Sequence, residues 1–369
     1  MNQPPWAASA HGRPGDRPEP PRPRTFDEAL AALASAGSAD ELFGPVSDPE
    51  ASARRYRRLV RLLHPDTSPP GRRAEATAAC AALNRLRATQ QPPDDDLLTT
   101  RRYRYQVGGT LAVGDIAVLR AARSRRRDSA GPPLDAVLKT PRDPADNDLM
   151  EREAHVLTWL ARHGEPRFQS YVPTLLESFC HADPADPAAV PRRVNALLQL
   201  DGFLTLAQLR AAFPDGLDPR DAAWIWRRLL VALGHAHRTR VRHGAVLPEH
   251  VLIQPVEHGV VLVDWCYAST GAPTPAPALV ERHRDRYPPE VPARRPVTEA
   301  TDIHLASSCI AELMGDQAPR PIRNFLAGCM LPAEARRPHD AWRLLAELDR
   351  LLERLYGPRT FRPLHLPAA

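Results

Sequence analysis

Hydrophobic and polar positions follow two different periods along this chain. From residue 25 to 89 the apolar residues recur at helical spacing. Thr25-Phe-Asp-Glu28 has the form of a capping box and predicts a helix with Phe26, Ala29, Leu30 and Leu33 on one face. A second helix is predicted after Asp48-Pro49, with Tyr56, Leu59, Val60 and Leu63 at i, i+3, i+4 and i+7. Arg54, Arg57, Arg58 and Arg61 cover its other side, and it stops at His64-Pro65-Asp66, because proline cannot continue a helix. A third, from about Ala74 to Thr89, buries Ala76, Ala79, Cys80, Leu83 and Leu86. Residues 1–24 are proline, arginine and glycine with little to bury, which predicts disorder, and Gln90 to Asp96 reads as a linker.

The period changes at Tyr103. Tyr105 to Ala122 reads as two strands around a turn, 134–140 as a third, Leu149 to Ala161 as a helix and Val194 to Leu200 as a strand. After Asp218 helices dominate, apart from short extended pieces at 251–254 and 260–264. Strands first and helices later predict an α+β domain. The expected organisation is a tail at 1–24, an all-α domain at 25–91, a linker at 92–102, a sheet-rich lobe at 103–200, a helical lobe at 201–355 and a tail at 356–369.

Composition narrows the function classes. The chain has 369 residues, 43% of them hydrophobic, with a net charge of +5. That charge is mild for the length and argues against a nucleic-acid partner. Five cysteines, none in a Cys-x-x-Cys pair, predict reduced thiols and no structural zinc. The start, Met1-Asn-Gln-Pro-Pro, lacks an apolar signal core, and no run approaches the roughly 18 apolar residues of a membrane helix. A cytoplasmic protein without membrane contact is expected.

Only one lysine occurs, Lys139; every other long basic side chain is arginine. An ammonium is a compact point charge and a guanidinium a wide planar fork, so Lys139 marks a place where the fork does not serve. It lies in Asp135-Ala-Val-Leu-Lys139-Thr, with Ala136 and Leu138 on the other face of a predicted strand. The run Arg125-Arg-Arg127, with Arg123, reads as a solvated loop, Cys266 as a buried inert thiol, and Trp224 and Trp226 as core.

An arginine-faced helix ending in His64-Pro65-Asp66 between two amphipathic helices resembles the J-domain of DnaJ-like co-chaperones over residues 25–89. The resemblance implies that Arg54, Arg57, Arg58 and Arg61 meet an acidic surface on a DnaK-type ATPase chaperone. It also implies that His64, Pro65 and Asp66 trigger that partner's ATP hydrolysis.

Residues 103–355 resemble the protein-kinase fold, here with its chemistry removed. Gly108-Gly-Thr-Leu-Ala-Val-Gly114 stands where a glycine-rich phosphate loop would be, without the regular Gly-x-Gly-x-x-Gly. Lys139 is similar to the family's strand lysine, Glu153 to its helix carboxylate, with Glu151 as the alternative, and Gln199-Leu-Asp201-Gly to the hinge. The stretch His243-Gly-Ala245-Val-Leu247-Pro-Glu-His250-Val-Leu-Ile is similar to the catalytic loop, and Val260-Val-Leu-Val-Asp264-Trp-Cys266 to the strand that ends in Asp-Phe-Gly. Tyr287-Pro-Pro-Glu290, Asp302 and Arg337 match fold-holding positions. Ala245 replaces the catalytic aspartate, Leu247 the loop lysine and His250 the metal-holding asparagine. Without a carboxylate at 245 nothing there accepts the substrate proton, and Mg²⁺ prefers oxygen to imidazole.

The resemblance therefore implies a bacterial-style J-domain joined to a pseudokinase. Such an adaptor recruits a chaperone and binds either a protein client or ATP with Mg²⁺ or Mn²⁺. Lys139, Glu153, Asp264, Gly114, Gln199 and Asp201 would hold the nucleotide, with Asp264 and His250 as the candidate metal ligands. The alternative is an atypical active serine/threonine kinase using ATP and a divalent metal.

Overall fold

A computed structural model describes residues 23–44, 49–64, 68–69, 71–89, 97–129, 131–182 and 189–367. The predicted tail up to residue 22, Pro65, Asp66 and residues 90–96 of the predicted linker lie outside them. The described chain contains helices and a curled antiparallel sheet, an α+β protein in two compact units that divide near Leu97.

The first unit is helical: α1 (Phe26–Ser35), α2 (Ala39–Phe43), α3 (Pro49–Leu63) and α4 (Arg73–Thr89). Thr25 caps α1 by accepting from the Glu28 amide, but the Glu28 carboxylate reaches back to the Arg24 amide at 2.7 Å rather than to Thr25 itself. Phe26, Ala29, Leu42, Phe43, Leu59, Leu63 and Leu83 form one apolar core. The short α2 breaks the pattern that predicts three helices. Ser38 caps it and it buries Leu42 and Phe43, which a five-residue helix is too brief to announce by period. Tyr56 donates to Asn84 at 2.7 Å and ties α3 to α4. Arg54, Arg57, Arg58 and Arg61 are exposed, as is His64 directly after α3.

The second unit begins with a six-stranded sheet in the order β1-β2-β3-β4-β6-β5. Its strands are β1 (Leu97–Thr99), β2 (Tyr103–Val113), β3 (Ala117–Arg126), β4 (Leu134–Pro141), β5 (Leu175–His181) and β6 (Arg192–Leu198). The sequence pattern misses β1 and β5: β1 lies in the predicted linker at 92–102, which therefore ends before Leu97, and β5 is half-buried on both faces apart from exposed Cys180, so no alternation shows. Helix α5 (Asn147–His163) packs against β5 and β6. A helical part follows, with α6 (Leu206–Ala212), α7 (Pro219–Arg238), α8 (Glu299–Met314), α9 (Arg320–Cys329) and α10 (Ala341–Tyr356). Between α7 and α8 run the short strands β8 (Val241–Arg242), β9 (Val251–Gln254), β10 (Gly259–Leu262) and β11 (Ser269–Thr270); β9 and β10 pair as a hairpin, and β7 (Leu204–Thr205) joins its edge.

α7 is the core of this part. Trp226, Leu229, Leu230 and Leu233 are fully buried, and Gly234 lets Trp342 of α10 approach so closely that a Cβ would lie 2.5 Å from its ring nitrogen. A buried ion pair pins the segment before α8. Arg337 grips both oxygens of Glu290 at 2.6 and 3.0 Å, and Thr301 donates to the same carboxylate at 3.0 Å. Both partners are wholly buried, so the pair is held by complementary fork geometry rather than by charge alone. No helix among the described residues is long and apolar enough to cross a membrane.

Candidate functional site

The sheet and the β9–β10 hairpin bring the singled-out residues together. The β4–β6 register sets Lys139 opposite Asn195, and both are buried. Lys139 Nζ bonds Glu153 Oε1 of α5 at 2.8 Å and also contacts Asp264 Oδ1. Glu153 is the partner and Glu151 is not; Glu151 is exposed and lies 3.5 Å from Arg193. Asn195, which the sequence reading passes over, holds Glu153 from behind, donating to its Oε2 and to the Met150 carbonyl, each at 2.9 Å. Its only sequence signal is an amide in the middle of the apolar run Val194 to Leu198.

Asp264 follows β10 in the left-handed region, φ 69° and ψ 52°. An aspartate tolerates this conformation at a cost of about 1 kcal/mol, and the surrounding bonds hold it there. Lys139 takes Oδ1, the Cys266 thiol donates to Oδ1 at 2.9 Å, and His250 Nε2 lies 3.0 Å from Oδ2. His250 Nδ1 faces the Ala245 carbonyl at 2.8 Å. A carbonyl only accepts, so Nδ1 carries a proton; with a carboxylate at Nε2 the ring is set up as an imidazolium donating from both nitrogens.

The electrostatics agree. Burial opposes charge on His250, but Asp264 and the Ala245 carbonyl outweigh it and raise its pKa. Burial likewise opposes charge on Lys139, and the Asp264 and Glu153 carboxylates override it and push the ammonium well above its ordinary range. Burial would raise the Asp264 carboxyl, yet Lys139 and His250 hold it well below the usual carboxylate range. Burial and Asp264 push the Cys266 thiol well up, so it is an inert donor.

The loop from His243 to His250 is built around Asp302 of α8. Its carboxylate accepts from the His243 and Gly244 amides, each at 2.8 Å, and from His237 Nε2 at 3.0 Å. Gly244 has φ 76°, and a Cβ there would lie 2.8 Å from the Tyr267 carbonyl, so only glycine serves. His243 donates from Nε2 to the Val263 carbonyl at 2.9 Å and accepts the Ala245 amide at Nδ1. Burial holds it neutral, with its pKa lowered to about 4. Ala245 and Leu247 are fully buried and offer no polar atom to a substrate.

A small cavity of about 40 Å³ remains in front of this cluster, lined by Gly114, Lys139, His250, Asp264, Tyr267, Val280 and Arg282 among others. Val280 is buried, and Arg282 lies across the opening, 3.1 Å from Asp115 in the β2–β3 turn and 3.8 Å from Glu249. His283 pairs with Glu249 at 2.9 Å. The segment at Val280–His283 thus straps the cleft, and nothing in its sequence announces that. Gln199 and Asp201 bond to each other at 3.2 Å and do not line the cavity.

These residues do not fit a nucleotide with its metal in this arrangement. Small-molecule pockets run from about 300 Å³ upward, both oxygens of Asp264 are engaged, and an imidazolium repels a cation. The two candidate metal ligands, Asp264 and His250, are spent on each other. Among the described residues no group of three or more His, Cys, Asp or Glu side chains is placed to hold a metal ion. A scan of protein-family models and a search of curated proteins give no match to this chain.

Proposed function

We propose that this chain is a non-catalytic adaptor: a J-domain-like helical unit that recruits and stimulates a DnaK-type ATPase chaperone, joined to a protein-kinase-like unit that binds a protein client. The observation that carries the non-catalytic reading is the closed circuit Glu153–Lys139–Asp264–His250, in which every charge is answered from within the protein. Ala245 supports it, because a buried methyl group neither accepts a proton nor orients a hydroxyl. Lys139 paired with Glu153, Arg337 with Glu290, and Asp302 under the His243 loop support the kinase-like reading of the framework. The exposed arginines of α3, ending at His64, support the chaperone-facing reading, since an arginine face suits an acidic partner and such contacts weaken with salt.

Two assays test the halves separately. The purified full chain is added to a DnaK-type chaperone and the ATPase rate followed; stimulation is expected, and His64→Gln abolishes it without changing the circular dichroism spectrum. Unchanged stimulation in the variant sinks the co-chaperone role. Labelled ATP with Mg²⁺ or Mn²⁺ is then expected to leave no phosphate on the protein or on a generic acceptor. Transfer that disappears in Asp264→Ala establishes the atypical kinase instead.

A further inference from the structure

One hairpin of this chain carries a dense positive charge. Residues 97–133 hold eight arginines against two aspartates, an excess larger than the +5 of the whole chain. The fold stacks them. The Arg127 amide donates to the Arg102 carbonyl at 2.9 Å, so these two stand opposite each other at the open end of the β2–β3 hairpin, just outside both strands. Antiparallel pairing carried two residues inward sets Arg104 across from Arg125. Tyr103, Tyr105, Ala122 and Ser124 fill the other face and are buried. Arg102, Arg104, Arg123, Arg125 and Arg127 are all exposed on the outward side.

Like charges directly opposite one another across a ladder destabilise a sheet, and little here relieves them. Asp128 is gripped by Arg126 at 2.8 and 3.0 Å, and Asp135 comes only within 3.7 Å of Arg123. Arg127 donates to the Thr100 carbonyl at 3.1 Å, and Arg102 lies over the Tyr103 ring. Among the described residues neither Arg104 nor Arg125 has an ion-pair partner.

We propose that this arginine ladder binds the phosphate backbone of a nucleic acid without reading its bases. Same-face residues on one strand lie about 6.8 Å apart, and both strands contribute, so the ladder presents opposed guanidiniums two at a time per about 6.8 Å of its length. A nucleic-acid duplex offers one phosphate per about 1.7 Å of its axis, both strands counted, enough charge to answer both guanidiniums of each rung. An extended acidic peptide, with only alternate side chains facing the ladder, offers one carboxylate per about 6.8 Å and leaves half the guanidiniums unanswered. The guanidinium fork also matches phosphate oxygens two at a time. Both tyrosines of the hairpin are turned inward, so no aromatic platform reads bases. The mild net charge that argues against nucleic acid is an average over the chain, and pairing of Arg102 and Arg104 with the Arg123–Arg127 run makes the local charge dense.

The test is fluorescence anisotropy of the full chain with a short labelled DNA strand of mixed sequence and with its duplex, across a salt series. Log affinity is expected to fall against log salt with a slope of about −2.8 to −3.5 for the strand and about −3.6 to −4.5 for the duplex, as four or five phosphate contacts require. Arg104→Glu with Arg125→Glu weakens binding at least about tenfold and flattens the slope by about 2; Arg104→Ala with Arg125→Ala acts in the same direction. Arg320→Glu with Arg323→Glu removes the same charge elsewhere and leaves affinity within about twofold. Absence of binding at low salt, equal losses in the hairpin and control variants, or binding to polyglutamate or phosphatidylserine vesicles that DNA does not displace each overturns the proposal.

Discussion

His250 Nε2 stands 3.0 Å from Asp264 Oδ2, and the same ring donates from Nδ1 to Ala245 at 2.8 Å. An imidazolium therefore occupies the carboxylate that a metal would need, and the site's electroneutrality depends on a proton.

Stability should accordingly depend on pH from two directions. The His250 pKa is raised in the folded state, so its contribution is complete below the unfolded value of about 6.5 and is lost as pH rises through the folded value. The His243 pKa is lowered to about 4, so stability falls as pH drops from about 6.5 toward 4, by about 3 kcal/mol. Thermal melts from mildly acidic to mildly alkaline pH are expected to show a maximum near neutrality. His250→Gln flattens the alkaline limb only; an unchanged alkaline limb would mean that His250 is neutral in the native protein.

Removing Lys139 leaves the buried Glu153 carboxylate and the partly exposed Asp264 carboxylate without their common cation. Lys139→Met is expected to cost about 3 kcal/mol in urea unfolding, within the range for breaking a buried pair. Lys139→Arg rescues less than half of this, because a planar fork does not fit between Glu153 Oε1 and Asp264 Oδ1. A loss under about 1 kcal/mol for the methionine variant would show that water replaces the ammonium.

Restoring the missing carboxylate should not restore chemistry. Ala245 is fully buried, so Ala245→Asp forces a charged group into a packed site at a cost of about 1–3 kcal/mol. Leu247 and His250 remain in place, so labelled ATP is expected to leave no phosphate on the variant. Turnover in Ala245→Asp would show that position 245 was the sole deficit.

The strap over the cleft is the weaker closure. Arg282 and Asp115 are both partly exposed, so their bond at 3.1 Å contributes less than about 1 kcal/mol. Arg282→Ala is expected to leave the melting temperature nearly unchanged and to speed amide hydrogen exchange at Gly114 and Ile116 severalfold. Equal exchange rates would place the closure on Val280 instead.

Much of this was legible from residue patterns. Lys139 announces itself by being alone and its strand follows from alternation, while Glu153 and Asp264 come from the resemblance to the protein-kinase fold. Helices α1, α3 and α4 of the first unit are readable because each commits several apolar residues to one face. Other elements were hidden for local reasons: α2 is too short to show a period, and β5 lacks a dry face. The ion pair between Arg282 and Asp115 joins residues far apart in sequence, and neither carries a local mark. The proton on His250 was invisible because it depends on the Ala245 carbonyl, a backbone atom that no side-chain pattern encodes.

Asn195 spends both of its amide hydrogens on α5, one on Met150 and one on Glu153. That helix is consequently moored to β6 at two points and cannot swing outward without stranding a buried amide. Outward rotation of α5 therefore costs about 1–3 kcal/mol for each bond it breaks, and motion of the loops around the cleft that leaves α5 in its berth is the cheaper change.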